Sequence, residues 1–173
     1  MIGSGFGHSY INKRIEMGFD IMQTELGLTL KRFVRVLDHK KIWLRVFKKK
    51  QLNTFILDMI KQDQLFDKGI DEDGDVIGTY SEFTEALNPE KVAGSHYTLK
   101  DTGDFFDSFY IDVFPTYFEI NANPIKTDQD GDTENLFYKY GEGIMGLTTE
   151  SMDKLSREVL RLYEIEVRRL LQI

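Results

Sequence analysis

The chain has 173 residues, no cysteine and a net charge of −7. This length favours a single domain with its own core, and the lack of cysteine excludes disulfide scaffolds, thiolate metal sites and cysteine nucleophiles. No apolar run approaches the ~18–20 residues that span a bilayer, and the N-terminus lacks the pattern of a signal peptide. We therefore expect a soluble protein without a membrane partner.

The N-terminal part of the chain has a helical pattern. Three glycines among residues 1–9 predict a flexible start, and apolar residues at three- and four-residue steps predict a helix from Tyr10 that ends at Gly27. A second helix is expected over 30–37. In the stretch that follows, Ile42, Leu44 and Val46 stand at alternate positions, and this stretch fits either a helix or a strand.

A clear helical stripe follows from Leu52 to Ile60, with Gly69 as a plausible stop. The next stretch is rich in turns, irregular over 80–94, with a short strand expected at Tyr97 and Leu99. Asp101 is expected to cap a short helical turn, and Gly103 to occupy a tight turn before it.

Two alternating runs, one from Phe109 to Val113 and one at Phe118 and Ile120, predict an antiparallel hairpin joined at Pro115. Residues 121–132 are expected to form a polar loop, and residues 135–140 a short helix. Thr148 or Thr149 then caps the longest helix of the chain, whose apolar stripe begins at Met152.

These patterns predict an α+β fold in which helices pack on a small, mostly antiparallel β-sheet, with a long C-terminal helix. We expect one domain over 1–173, divided into a flexible N-terminus (1–9), a helical and basic segment (10–66), a turn-rich hairpin region (67–147) and the C-terminal helix (148–173).

The sharpest metal candidate is the acidic loop at 71–75. A calcium loop places oxygen ligands at positions 1, 3 and 5, glycine at position 6 and glutamate at position 12. Here position 6 is Val76, which favours a solvated turn. The weak candidate ligands are Asp71, Asp73, Asp75 and Glu82. The loop Asp128–Asp132 has the same spacing but Lys139 at position 12, and it is also interpreted as a turn.

Two further motifs have structural interpretations. Residues 141–146 match the glycine spacing of a dinucleotide-binding loop, but a helical rather than an extended segment precedes them, so the glycines are expected to form a turn between helices. His8, His39 and His96 have no metal-ligand or triad spacing. We therefore predict no catalytic residue, no metal and no cofactor.

The charges are segregated along the chain. Residues 31–50 hold nine basic residues and a single acidic one, whereas acidic clusters lie at 71–75 and 128–134. The basic stretch is a candidate contact for DNA or an acidic partner, since it also contains aromatic residues at Trp43 and Phe47. A solvated cationic face is the alternative. The nine residues are Lys31, Arg32, Arg35, Lys40, Lys41, Arg45, Lys48, Lys49 and Lys50.

Two segments resemble small virion proteins of tailed bacteriophages and prophages, with versions from phages of Bacteroides-like hosts most similar. The first begins at Gln64 and continues, after a gap, through Thr102, Gly103 and Ser108 ahead of the hairpin. The second, Tyr140 to Thr148, ends in the Gly146-Leu147-Thr148 cap of the last helix. The structural turn and cap residues are then Asp101, Gly103, Gly146 and Thr148.

The resemblance covers about residues 60 to 172 and identifies the chain as a head–tail connector, neck or tail-completion protein. It implies a ring-forming adaptor, assembled in the cytoplasm of the host bacterium and located in the virion. The implied partners are other copies of the chain, portal, neck and tail proteins, and DNA passing through the channel. The alternatives are a nucleic-acid-binding module that uses 31–50 and a metal-dependent hydrolase.

Overall fold

The computed structural model describes residues 25–127 and 133–173. Predictions for the flexible start, for most of the helix from Tyr10, for His8 and for the loop Asp128–Asp132 lie outside these residues. The predicted α+β fold is confirmed: the described ranges contain seven α-helices, the last of which is the long C-terminal helix, and two small antiparallel sheets. The strands form two separate two-stranded sheets, where a single small sheet was expected.

The N-terminal part is a series of helices: α1 (Glu25–Val36), α2 (His39–Phe47) and α3 (Lys50–Asp58), with α3 continuing as a π-helix over Met59–Phe66. Gly27 lies inside α1 and does not end a helix, contrary to prediction. The ambiguous stretch 42–46 is helical. Ile42 and Val46 are one turn apart and both fully buried, so the helical period decides the structure there.

The C-terminal helix, α7 (Thr149–Leu171), packs against α1, α2 and α3. Thr148 is its N-cap, as predicted, and its hydroxyl accepts a hydrogen bond from the Ser151 amide. Leu155 and Leu162 are buried in the core, but Met152 is exposed, so the predicted stripe is wrong at its first residue. Ser151 is buried beside the cap and takes the inward position in that turn.

The predicted hairpin is confirmed as β1 (Tyr110–Val113) paired antiparallel with β2 (Phe118–Asn121). Its Phe118 ring stacks on Phe47 of α2, and the Trp43 indole N–H donates to the Phe114 carbonyl oxygen at 2.8 Å. The hairpin is thus attached to the helical core.

A second hairpin lies where a loop was predicted. Strand β3 (Ile125–Thr127) pairs antiparallel with β4 (Thr133–Asn135). The prediction failed because these strands are three residues long and carry no apolar alternation, so they depend on pairing with each other and leave little trace in the sequence.

The remaining helices are short. They are α4 (Glu82–Leu87), α5 (Asp104–Asp107), α6 (Leu136–Tyr140) and a 3-10 turn over Glu142–Met145. Helix α4 lies within the stretch predicted to be irregular, and Ser81 caps it by accepting from the Thr84 amide. The strand expected at Tyr97 and Leu99 is absent: Leu99 has a φ of 52°, which breaks an extended chain.

Within residues 25–127 and 133–173, no helix combines the length and the apolar character needed to cross a membrane.

Candidate assembly surface

The two segments that carry the resemblance contact each other through one buried amide. Gln64, in the π-helix, is almost fully buried. Its Nε2 donates to the Gly146 carbonyl oxygen at 2.9 Å, and its Oε1 accepts from the Thr148 amide at 3.1 Å. Gln64 therefore fixes the chain where it enters α7. In the sequence, Gln64 stands four positions after Ile60 on the apolar face of the helix, where a polar side chain indicates a buried hydrogen bond. This role of Gln64 was not predicted.

A second contact joins the same segments. The Glu72 amide donates to the Gly143 carbonyl oxygen at 3.0 Å, and the Glu72 side chain lies against Gly146. A Cβ on Gly146 would collide with Glu72, although the backbone there has an ordinary φ of −76°. Gly146 is thus required by close packing. The glycine stretch 141–146 joins α6 to α7 as a turn, without the strand that a dinucleotide site needs.

The turn before the first hairpin has a different organisation from the predicted one. Gly103 is the N-cap of α5 and has a φ of 96°, in the left-handed region that favours glycine. Asp101 does not cap this helix. Its carboxylate lies between the Lys91 and Lys126 ammonium groups, at 3.0 and 2.7 Å, and hydrogen bonds, that from Lys126 foremost, lower the pKa of Asp101. The prediction failed because these lysines are distant in sequence.

The acidic loop is organised by its own hydrogen bonds. Asp71 Oδ1 accepts from the amides of Asp73 and Asp75, both at 3.0 Å, and Ile70 pairs with Val76 across the turn. Glu82 lies on α4. Among residues 25–127 and 133–173, no group of three or more acidic or histidine side chains is arranged to hold a metal ion.

The two described histidines make structural contacts. His39 Nδ1 lies 2.8 Å from the Tyr163 hydroxyl and so connects α2 to α7. His96 Nε2 lies 2.9 Å from the Phe66 carbonyl oxygen, and the imidazole packs closely against Gly69.

The most unusual surface is an apolar row on α1. Its members recur at steps of three and four residues, so they lie on one side of the helix, and each is 50–70% exposed. Lys31 and Arg35 lie beside the row and are also exposed. We call this row the α1 seam; it consists of Leu26, Leu30, Phe33 and Val34 of α1 and of Leu37, which directly follows the helix.

The seam continues onto α7. Phe33 borders a cleft of about 230 Å³ whose other wall includes Leu171 and Ile173, the latter largely exposed. The seam is thus part of a wider apolar surface. Large contiguous apolar patches on a protein surface usually mark interaction sites.

The nine basic residues lie on α1, on α2, in the junction between α2 and α3, and at the start of α3. Lys41 pairs with Asp38 at 2.8 Å, and Arg45 pairs with Glu166 at 3.2 Å. The other seven form no ion pair with a carboxylate in the described part of the chain. Trp43 and Phe47 stack on each other, and Phe47 is buried, so neither ring is free to stack on a base.

Two of these cations lie at the positive end of a helix dipole. Lys49 is the N-cap of α3 without any side-chain hydrogen bond, and Lys50 is the first residue of that helix. The positive end of a helix dipole disfavours cations at this position. Lys49 and Lys50 are therefore unfavourable for the stability of α3. Lys48 is instead the C-cap of α2, where a cation is favourable.

A second exposed apolar patch lies on α4, in the acidic region. Phe83 and Leu87 are one turn apart, and each is 73% exposed. Glu82 and Glu90 are exposed beside them. We call these four residues the α4 patch. Residues 67–147 contain eighteen acidic and five basic residues, whereas residues 25–66 contain four acidic and ten basic ones.

Comparison of the chain with protein-family models, with curated proteins and with solved structures gave no match.

Proposed function

We propose that the protein is a structural component of a tailed-phage virion, a ring-forming adaptor at the head–tail junction that acts in neck assembly or tail completion. The observation that carries the proposal is the α1 seam. Five large apolar side chains exposed along α1 and at the residue after it are unfavourable in a subunit that works alone, and burial of such a surface is what drives stable association.

The connected resemblance segments support the same proposal. Gln64 and Glu72 of the first segment bind the backbone of the second at Gly143, Gly146 and Thr148. The motifs that resemble virion proteins are therefore parts of one packed unit that sets the direction of α7. Among the carboxylates of the hydrolase alternative, the Asp71 side chain binds the backbone of its own loop.

A nucleic-acid-binding module remains the second candidate. It is favoured by the seven basic side chains of 31–50 that lack a carboxylate partner among the described residues. A binding surface of this kind neutralises phosphates, so its affinity for DNA falls steeply with salt. Affinity for duplex DNA measured between 50 and 200 mM salt tests this candidate, and an affinity of about 1 mM or weaker at the lower salt concentration would exclude it.

Disruption of the gene tests the proposed function. We expect infected or induced cells to accumulate filled heads and tails that are not joined, or heads that lose DNA, and a copy of the wild-type gene to restore joined particles. A copy carrying Leu30→Glu should fail, because it places a charge within the α1 seam. A copy carrying Tyr138→Glu, at an exposed position away from the seam, should succeed. Normal particles from the disrupted gene would contradict the proposal.

A further inference from the structure

The α1 seam and the α4 patch have complementary properties. The seam is a row of exposed apolar side chains flanked by the cations Lys31 and Arg35, and the patch is a pair of exposed apolar side chains flanked by the carboxylates Glu82 and Glu90. Each of these surfaces could cover the apolar side chains of the other while pairing opposite charges at the edges.

The two surfaces belong to different parts of the same chain. The seam lies on α1, which packs along α7, whereas α4 lies in the acidic stretch before the first hairpin. A contact between two such unlike surfaces on identical subunits is head-to-tail, and repetition of a head-to-tail contact generates a closed ring when the rotation closes.

We infer that the α1 seam of one copy binds the α4 patch of the next copy. Phe83 and Leu87 pack on Leu30 and Phe33, and Lys31 faces Glu82. This inference rests on the proposed function, since it names the partner of the seam as a second copy of the chain. The net charge is positive over 25–66 and negative over 67–147. Regions of opposite charge attract each other, so these charges favour a second copy of the chain as the partner of the seam.

The lack of native cysteine allows a direct test with single introduced thiols. Phe33→Cys and Phe83→Cys change exposed side chains, so both variants should fold. The two purified full-length variants are mixed at high concentration with a short bismaleimide, which captures transient contacts irreversibly. We expect a covalent heterodimer in the mixture and little homodimer when either variant is treated alone.

Tyr138→Cys provides the matched control, since residue 138 is highly exposed and lies outside both surfaces. Its mixture with Phe33→Cys should give only background crosslinking. Lys31→Glu added to the Phe33→Cys copy should reduce the heterodimer yield about two- to fivefold, the range of a partly exposed ion pair, and Glu82→Lys on the other copy should restore it.

Three outcomes would overturn the inference. A homodimer from Phe33→Cys alone would mean that two seams pair with each other. Slow maleimide labelling of Phe33→Cys in dilute monomer would mean that another part of the same chain covers the seam. Heterodimer no greater than in the Tyr138→Cys control would exclude the proposed contact. These outcomes leave the proposed function standing if the protein is found in virions, whereas absence from virions would contradict that function alone.

Discussion

At the scale of single residues, the fold depends on a few side chains that connect distant parts of the chain. Gln64 is the clearest case, because its amide binds a carbonyl oxygen and an amide on either side of Leu147. A buried polar side chain is stable only when its hydrogen bonds are made, and its removal leaves the partners unsatisfied. Gln64 therefore has a structural role that depends on its burial.

Substitution of Gln64 tests this role. Gln64→Leu keeps the approximate size but leaves the Gly146 carbonyl and the Thr148 amide without partners, so we expect the free energy of unfolding to fall by about 2–4 kcal/mol. Gln62→Leu is the matched control: Gln62 is exposed and binds only Asp67, and its loss should change stability by less than about 0.5 kcal/mol. Urea unfolding measures both, and equal effects would contradict the assigned role.

Gly103 and Gly146 are required for different physical reasons. Gly103→Ala should cost about 1–2 kcal/mol, because an L-residue is strained at a φ of 96°. Gly146→Ala should cost a similar amount through collision with Glu72. Only the second cost should be reduced by Glu72→Gly, so a double-mutant cycle should show coupling between Glu72 and Gly146 and none between Glu72 and Gly103. Coupling in both cycles would contradict this distinction.

Glu166 predicts a specific pH dependence. It is buried in α7, and hydrogen bonds from Arg169 and then Arg45 lower the pKa of its carboxyl. A pKa lowered on folding stabilises the protein above the unfolded value of about 4.3, and this stabilisation is lost as pH falls through the folded pKa. Glu166→Gln should therefore reduce stability by about 1–2 kcal/mol at pH 7, with the difference from wild type shrinking below about pH 4.

The control for this experiment is Glu164→Gln, which alters an exposed pair with Arg168 on the same helix. Exposed pairs contribute little, so this variant should stay within about 1 kcal/mol of wild type at both pH values. Urea unfolding at pH 7 and pH 3 gives the comparison. A difference between wild type and Glu166→Gln that does not change with pH would show that the lost stability is not electrostatic.

At the scale of elements, the predictions from the sequence were correct for elements with a repeated apolar pattern. The α7 stripe, the helix from Leu52 and the hairpin of β1 and β2 each have enough apolar repeats to fix their type. The sequence failed for β3 and β4, which are held by mutual pairing, and for the stripe's first residue, Met152, since the cap places Ser151 inward.

The candidate surface was only partly predictable. The cationic stretch 31–50 is visible in the sequence because charge needs no structure to be counted. The α1 seam is not, since exposed and buried apolar rows have the same period; only the packing of α1 against α7 shows that Leu30 and Phe33 are left uncovered. Asp101 likewise forms ion pairs that depend on tertiary structure, with Lys91 and Lys126.

The start of α3 tests whether the lysines serve binding or stability. Lys49→Asp should raise the free energy of unfolding by about 1 kcal/mol, because an N-cap carboxylate accepts hydrogen bonds from the first turn and favours the helix dipole. If the lysines serve assembly, the more stable variant should restore joined particles less well than wild type. Lys61→Asp is the control, because it makes the same charge change beyond the first turn of the helix. Lys154→Asp is not suitable, since Lys154 pairs with Glu150. A Lys49→Asp variant that is less stable than wild type would contradict the conclusion that Lys49 is unfavourable at the start of α3.

At the scale of the whole molecule, the chain has two unlike exposed apolar surfaces, the α1 seam and the α4 patch. The Gln64 and Glu72 contacts hold the entry to α7, α7 supports α1, and α1 presents the seam. The acidic region presents the α4 patch. In the proposed ring, a head-to-tail contact between such subunits would leave the remaining surfaces available for portal and tail proteins, and many weak contacts around the ring would add to a stable assembly.

The most direct test of the central claim is quantitative mass spectrometry of purified virions, combined with electron cryomicroscopy of the head–tail junction. The account predicts the protein at a fixed copy number per particle, with density for a ring of this fold at the junction and α1 at the contact between neighbouring subunits. Recovery of the protein only from infected cytoplasm, and never from particles, would contradict it.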